Sequence, residues 1–179
     1  MSTARRTVIA NCEVPLMPHT LVALVEDKPG VLNRVASLFR RRAFNIESLS
    51  VGRTEEPGIS RMTIVVDSDQ TSADRVIAYL DRLVNVLYVE DLGGVSAVAR
   101  DLALIKVSAA TSARAALLRI VDETRAHIVD SGEQTMTIEI TGEPPHVDAV
   151  IDRLIPLGIV EMVRTGRVAM RRGDAPFAA

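Results

Sequence analysis

The chain has 179 residues, 47% of them hydrophobic, with 21 lysines and arginines against 23 acidic residues for a formal charge of −2. That length supplies one ordinary domain or two small ones with a real core, and the near balance of charge leaves no electrostatic footprint for nucleic acid. Apolar runs such as Leu21 to Val25, Met62 to Val66 and Leu102 to Ile105 fall far short of the roughly 20 residues of a membrane span, so no transmembrane helix is expected.

Met1 to Arg6 is polar and basic, but no apolar stretch with a small-residue cleavage site follows, which points away from secretion and toward the cytosol. The single cysteine, Cys12, sits in a Pro-containing leader over residues 1–18 and can form neither an internal disulfide nor a multi-cysteine zinc site. Thr20 to Val25 then reads as an apolar strand, and Val31, Leu32, Val35, Leu38 and Phe39 recur at helical spacing. Arg40-Arg41-Arg42 closes that helix, where the dipole favours positive charge and the side chains stay solvated.

Ile46 to Arg53 and Arg61 to Asp67 form a hairpin about the Glu55-Glu56-Pro57-Gly58 turn. Thr71 or Ser72 is positioned to cap a helix bearing Val76, Ile77, Leu80, Leu83 and Val84, and Val86 to Leu92 supplies a fourth strand. After Gly93-Gly94 the order repeats. Leu102 to Ala109 is a strand, Thr111 or Ser112 caps a helix through Leu117 and Val121, and His127 to Val129 pairs with Met136 to Thr141. Pro144-Pro145 opens another helix, and Gly158 to Val163 with Val168 to Met170 complete the half.

The expected fold class is α+β, two ferredoxin-like βαββαβ units, each an antiparallel sheet with its helices on one face. The boundaries fall at 19–93 and 100–172, with a loose tail over 173–179. One face of each sheet is left uncovered, which predicts pairing within or between chains.

The Asp27-Lys28-Pro29-Gly30 turn is the chemically informative segment. Asp27 can cap the following helix, Pro29 sits where its missing amide does no harm, and Gly30 admits a ligand close to the free amides of a helix N-terminus. A small carboxylate fits there, and so does the plainer reading of an ordinary strand-to-helix turn. Asn45 offers a donor and an acceptor to a zwitterion, or else takes the left-handed conformation that ends the preceding helix. His19, His127 and His146 are dispersed without metal-ligand spacing, and no nucleophile motif or phosphate-cradling loop accompanies the carboxylates. An RNA-recognition reading of the same element order fails because SLSVGRT and RMTIVVD carry no aromatic residue on which bases could stack.

The stretch LVALVEDKPGVLNRVASLFRRRAFNIESLSVGRTEEPGISRMTIVV closely resembles the first ACT domain of acetohydroxyacid (acetolactate) synthase small subunits. NIESLSVG followed by SRMTIVV is its specific part. DLALIKV, RAHIVD and GRVAMRRG resemble the second half of the same subunits. The resemblance implies a non-catalytic partner of a large subunit that itself holds thiamine diphosphate, Mg²⁺ and FAD, none of them bound by this chain. It implies activation of that subunit, feedback inhibition by valine or another branched-chain amino acid, and a homodimer of paired ACT domains with the effector between them.

Carried onto this sequence, Gly30, Val31 and Leu32 receive the effector's carboxylate, and Asp27 and Asn45 lie near its ammonium, Asn45 coming from the second copy. Pro29 and Ile46 belong to the same binding set. A free-standing amino-acid sensor acting on another enzyme is the alternative. Asp27 stands where some relatives carry Asn, and Ala43 where Gly is usual, so the first helix is expected to end without a left-handed residue. The second half has Ala109-Ala110-Thr111-Ser112 in place of DKPG, so it is expected to support the dimer or the large subunit rather than bind the ligand.

Overall fold

A computed structural model describes residues 18–67, 70–109 and 111–174; Cys12 with the leader to residue 17, and the tail from 175, lie outside the described residues. In the first unit, β1 (Pro18–Glu26), α1 (Val31–Arg42), β2 (Ile46–Arg53), β3 (Ile59–Asp67), α2 (Gln70–Leu80) and β4 (Val86–Asp91) follow in the expected order. The second comprises β5 (Ala97–Ser108), α3 (Thr111–Thr124), β6 (His127–Ser131), β7 (Thr135–Gly142), α4 (Pro144–Leu154), β8 (Ile159–Arg164) and β9 (Val168–Arg171). The sheets are antiparallel, ordered β2-β3-β1-β4 and β6-β7-β5-β8, with β9 paired to β5 off that path.

Period-2 patterning sends alternate strand residues toward the helices. In the first unit Leu21, Ala23 and Val25 join Met62, Ile64 and Val66 against Val35 and Phe39 of α1 and Val76 and Leu80 of α2. In the second, Ala103, Ile105 and Val107 meet Ile138 and Ile140, with Leu117 of α3 and Val147, Val150 and Leu154 of α4 above them. Each core is its own contiguous cluster of buried side chains, which is why the two units read as a repeat.

The largest departure from the sequence reading concerns β9. Val168–Arg171 does not extend the second sheet past β8; it pairs with Ala97–Arg100, the start of β5, which begins well before Leu102. The resulting two-stranded ribbon lies across the first sheet. Ala97, Ala99 and Ala169 on its inner side meet Val22 and Leu92, so the face that the helices leave uncovered is covered in part by the same chain, as the expected pairing within the chain requires. The ribbon and the loop before it touch every strand of that sheet. The Arg167 amide donates to Ser48 Oγ of β2 (3.1 Å) and Arg167 Nη1 to Thr20 Oγ1 of β1 (3.0 Å), while Arg61 Nη2 of β3 donates to the Ala169 carbonyl (2.8 Å). Arg171 pairs with Glu90 of β4.

Smaller corrections concern helix ends. The second helix stops at Leu80; Leu83 lies half-buried in the following turn and Val84 is 89% exposed, so neither is helical. Its start at Gln70 puts Thr71 and Ser72 inside the first turn, and α3 likewise starts at Thr111. Asp27 does not cap α1, whose N-cap is Gly30 at φ 87° with no side-chain cap.

Ala43, contrary to expectation, is left-handed at φ 56° and ψ 32°. Its amide reaches the Arg40 carbonyl (3.3 Å) and the Phe44 amide the Phe39 carbonyl (3.1 Å), the bond pair of a Schellman motif. The rings of Phe39 and Phe44 then meet edge to face with centroids 6.3 Å apart. Two hydrogen bonds at about 1 kcal/mol each and an aromatic contact of about 1 kcal/mol outweigh the roughly 1–2 kcal/mol cost of a left-handed alanine. The second unit repeats the device at Arg125, φ 56°, with Arg125 N–H to Asp122 C=O and Ala126 N–H to Val121 C=O.

Ala43→Gly should therefore raise stability by about 1 kcal/mol in urea unfolding, and an unchanged or lower midpoint would contradict the left-handed assignment. Gly166→Ala should do the reverse. A Cβ there would stand 2.6 Å from the Leu49 carbonyl oxygen, so a loss of about 1–3 kcal/mol is expected, read from the same unfolding curves.

Candidate functional site

The β1–α1 turn is held by the two loops beside it. Asp27 N–H donates to the Gly58 carbonyl of the β2–β3 turn (2.7 Å), and Glu26 N–H donates to the Asn85 carbonyl before β4 (3.0 Å). Side chains repeat the bracing: Lys28 Nζ donates to Glu26 Oε1 (2.8 Å), the Asn85 amide to Glu26 Oε2, and Arg34 Nη1 to Asn85 Oδ1 (2.5 Å). The Lys28 hydrogen bond, then the Asn85 one, hold the Glu26 carboxyl below its ordinary range although partial burial opposes them.

Within this frame Asp27, Pro29 and Gly30 are exposed, and Asp27 Oδ2 lies 3.3 Å from Arg53 Nε at the end of β2. Val31 is buried and anchors the first turn of α1 in the core, whereas Leu32 is 46% exposed beside the turn. The first helical bond runs from Arg34 N–H to the Gly30 carbonyl (3.0 Å), and with no capping side chain the amides of Leu32 and Asn33 face outward. A Cβ built on Gly30 meets nothing within 4 Å, so the approach is open. These are the requirements of a small-anion cradle.

Asn45 and Ile46 lie elsewhere. Ile46 pairs with Val66 at one end of the sheet, while Glu26 pairs with Ile59 at the other. The 12 residues of α1 separate the two ends by about 18 Å. One chain therefore brings together Asp27, Pro29, Gly30, Val31 and Leu32 but not Asn45 and Ile46. Asn45 is exposed, and the left-handed residue is Ala43, so Asn45 does not serve as the helix stop. Glu26, Arg34, Arg53 and Asn85 escaped the sequence reading. Asn85, between Val84 and Val86 in a turn, was the one local signal of a bracing side chain.

In the second unit, a polar cleft of about 420 Å³ between the sheets is lined by Asp101, Asp148, Arg164 and Arg167 among others. Asp101 Oδ2 accepts from Arg164 Nε (3.0 Å) and Nη2 (2.5 Å), and Asp148 Oδ1 from Arg164 Nη1 (2.6 Å). Burial pulls the Arg164 pKa down, but the hydrogen bonds to Asp148 and Asp101 outweigh it and hold the guanidinium above its usual value. This is an internal clamp joining β5, β8 and α4. Among the described residues no group of three or more His, Cys, Asp or Glu side chains could hold a metal ion, and no helix is long and apolar enough to cross a membrane.

An antiparallel β2-β3-β1-β4 sheet with both helices on one face and an open glycine turn after β1 defines an ACT-type ferredoxin-like domain, here followed by a second unit of the same plan. A family model described as an AHAS small subunit-like ACT domain matches residues 21–88, and one described as the small subunit of acetolactate synthase matches residues 100–173. A probable acetolactate synthase small subunit of Archaeoglobus fulgidus is 48% identical over 158 residues, 88% of this chain and 99% of that protein. The acetolactate synthase small subunit of Mycolicibacterium smegmatis is 45% identical over 161 residues, covering 90% and 95% of the two chains. The crystal structure of the acetolactate synthase small subunit from Thermotoga maritima superposes with a TM-score of 0.82 at 37% identity, over 89% of this chain and 99% of that one. The chain belongs to the family of acetolactate synthase small subunits.

The bracing of the turn has a titration signature. In the folded chain Glu26 should titrate below the ordinary glutamate value, and Asn85→Ala should move it back up, followed by carboxyl NMR. With its folded pKa depressed, the Glu26 contribution to stability is present above the unfolded pKa and is lost as pH falls through the folded one. A Glu26 midpoint at or above the ordinary glutamate value would remove the bracing account.

Proposed function

We propose that this chain is a non-catalytic regulatory subunit that activates a catalytic large subunit of acetolactate synthase and confers feedback inhibition by valine or another branched-chain amino acid, acting in the cytoplasm. Thiamine diphosphate, Mg²⁺ and FAD belong to the large subunit in this reading. Residues 19–93 form the effector-binding domain, and residues 100–172 support the dimer or the large subunit.

The observation that carries the reading is the geometry of β2. Its outer edge is unpaired among the described residues, with Asn45 at its start and Arg53, bridged to Asp27, at its end. Antiparallel pairing of β2 with β2 of a second copy about a two-fold axis would bring Asn45 of one copy to the Asp27–Gly30 turn of the other. The amides of Leu32 and Asn33 would take the effector's carboxylate, and Asp27 with Asn45 its ammonium. Exposed Leu32 and half-buried Ile46 would offer apolar contact to a branched side chain. A ligand seated between two chains biases their pairing through its different affinity for the paired and loosened states, which is what feedback control requires.

Gly30→Asp should abolish valine inhibition of the reconstituted holoenzyme and leave activation of the large subunit intact, because its carboxylate occupies the anion site. Gly30→Ala is the control for backbone strain at φ 87°, expected to cost about 1 kcal/mol of stability and to retain part of the inhibition. Full valine sensitivity in Gly30→Asp would exclude this site. Titration with valine, leucine and isoleucine separately identifies the effector, and failure to bind any large subunit would favour a free-standing sensor.

A further inference from the structure

We propose that the outward face of the β5–β9 ribbon is the docking surface for the catalytic large subunit, from which it takes an apolar segment flanked by aspartate or glutamate; this rests on the regulatory-subunit reading above. Strand register sorts the ribbon into two faces. Ala97, Ala99 and Ala169 turn inward onto the first sheet, while Val98 stands opposite Met170 and Arg100 opposite Val168 on the outer side. Val168 is 52% exposed and Met170 64%, an unusual setting for large apolar side chains placed side by side. The ribbon and the β2–β3 edge enclose a cleft of about 490 Å³.

Charge selects the partner. Arg53, Arg61 and Arg100 line this cleft, while Asp27 and Glu143, which pair with Arg53 at 3.3 Å and Arg100 at 3.6 Å, lie outside its lining. Burial lowers the pKa of Arg61 against the opposing charges of Glu90 and Glu55, a sign that water solvates its guanidinium poorly. A second copy of this chain fits badly, because a two-fold contact through this face would set the arginines against one another. The outer face of the second sheet is a weaker candidate: Leu104 and Val163 are exposed there, but Lys106 and Glu161 already pair across them at 3.5 Å. Apolar side chains, methionine and arginine around an otherwise polar rim are the composition of a heterologous protein interface.

Position adds a consequence. The ribbon is fastened to all four strands of the first sheet through Ser48, Thr20, Arg61 and Glu90, and it continues through β5 into the centre of the second sheet. A partner seated on it touches the one element that both sheets hold.

The test uses the full chain and the purified large subunit of the same organism, with affinity measured by calorimetry alongside activation. Met170→Glu should weaken the complex at least tenfold and reduce activation in parallel, leaving valine binding and the oligomeric state of the free chain unchanged. Met170→Leu should stay within threefold of the parent. Arg100→Gln, a solvent-side change, should weaken binding severalfold and flatten its salt dependence. A Met170→Glu affinity within twofold of the parent overturns the proposal, as does a changed self-association with unchanged large-subunit affinity, which would make a second copy the occupant. Should the parent chain fail to bind the large subunit, the regulatory-subunit reading itself falls.

Discussion

The close approach of Gly166 to the Leu49 carbonyl is the contact on which the arrangement of the two units depends. A Cβ at that position would stand 2.6 Å from the carbonyl oxygen. Without one, the chain leaving β8 passes close over β2 and sets Arg167 within reach of Ser48 and Thr20. Small side chains continue the principle, since Ala97, Ala99 and Ala169 let the ribbon settle onto Val22 and Leu92. Missing side-chain volume thus lets backbone approach backbone beside the polar cleft between the sheets.

β5 is consequently shared. Its first residues pair with β9 over the first sheet, and its later ones form the centre of the second sheet between β7 and β8. Asp101 stands where the strand passes from one role to the other, 6% exposed and held to Arg164. Its Oδ1 has no partner among the described residues, nor has Arg167 Nε nearby in the same cleft. Buried polar atoms without partners are disfavoured by about 1–3 kcal/mol each, so the junction is the least satisfied part of an otherwise well-bonded fold.

The two units also show how a duplicated plan diverges in local structure. Both first helices end in the same bond pair, at Ala43 and at Arg125. The first helix begins at an exposed glycine braced by Glu26, Asn85 and Gly58, whereas the second follows Ala109, which is 1% exposed. His127 takes the place of Asn45 when the two helix ends are matched. The stops are alike because backbone hydrogen bonds impose them. The starts differ in exposure, Gly30 lying open and Ala109 buried.

Local chemistry in the sequence determined most of the elements: strand alternation, helical spacing, the Pro and Gly punctuation of the turns, and hence two ferredoxin-like units with an exposed DKPG turn ahead of the first helix. Its errors were tertiary. Alanine's preference argued against a left-handed Ala43, but two hydrogen bonds and the Phe39–Phe44 contact override a preference of about 1–2 kcal/mol. Leu83 and Val84 fit the helical period, yet the chain had to turn at Leu80 to deliver Val86 to the sheet beside Val25. Partnership was the least legible property. Nothing in VAM or AVAR says which strand either will meet, because strand pairing is non-local and register depends on what else covers each face. Only the assembled structure decided that β9 would return to β5 across the first sheet, and that Gly30 and Asn45 would lie at opposite ends of that sheet.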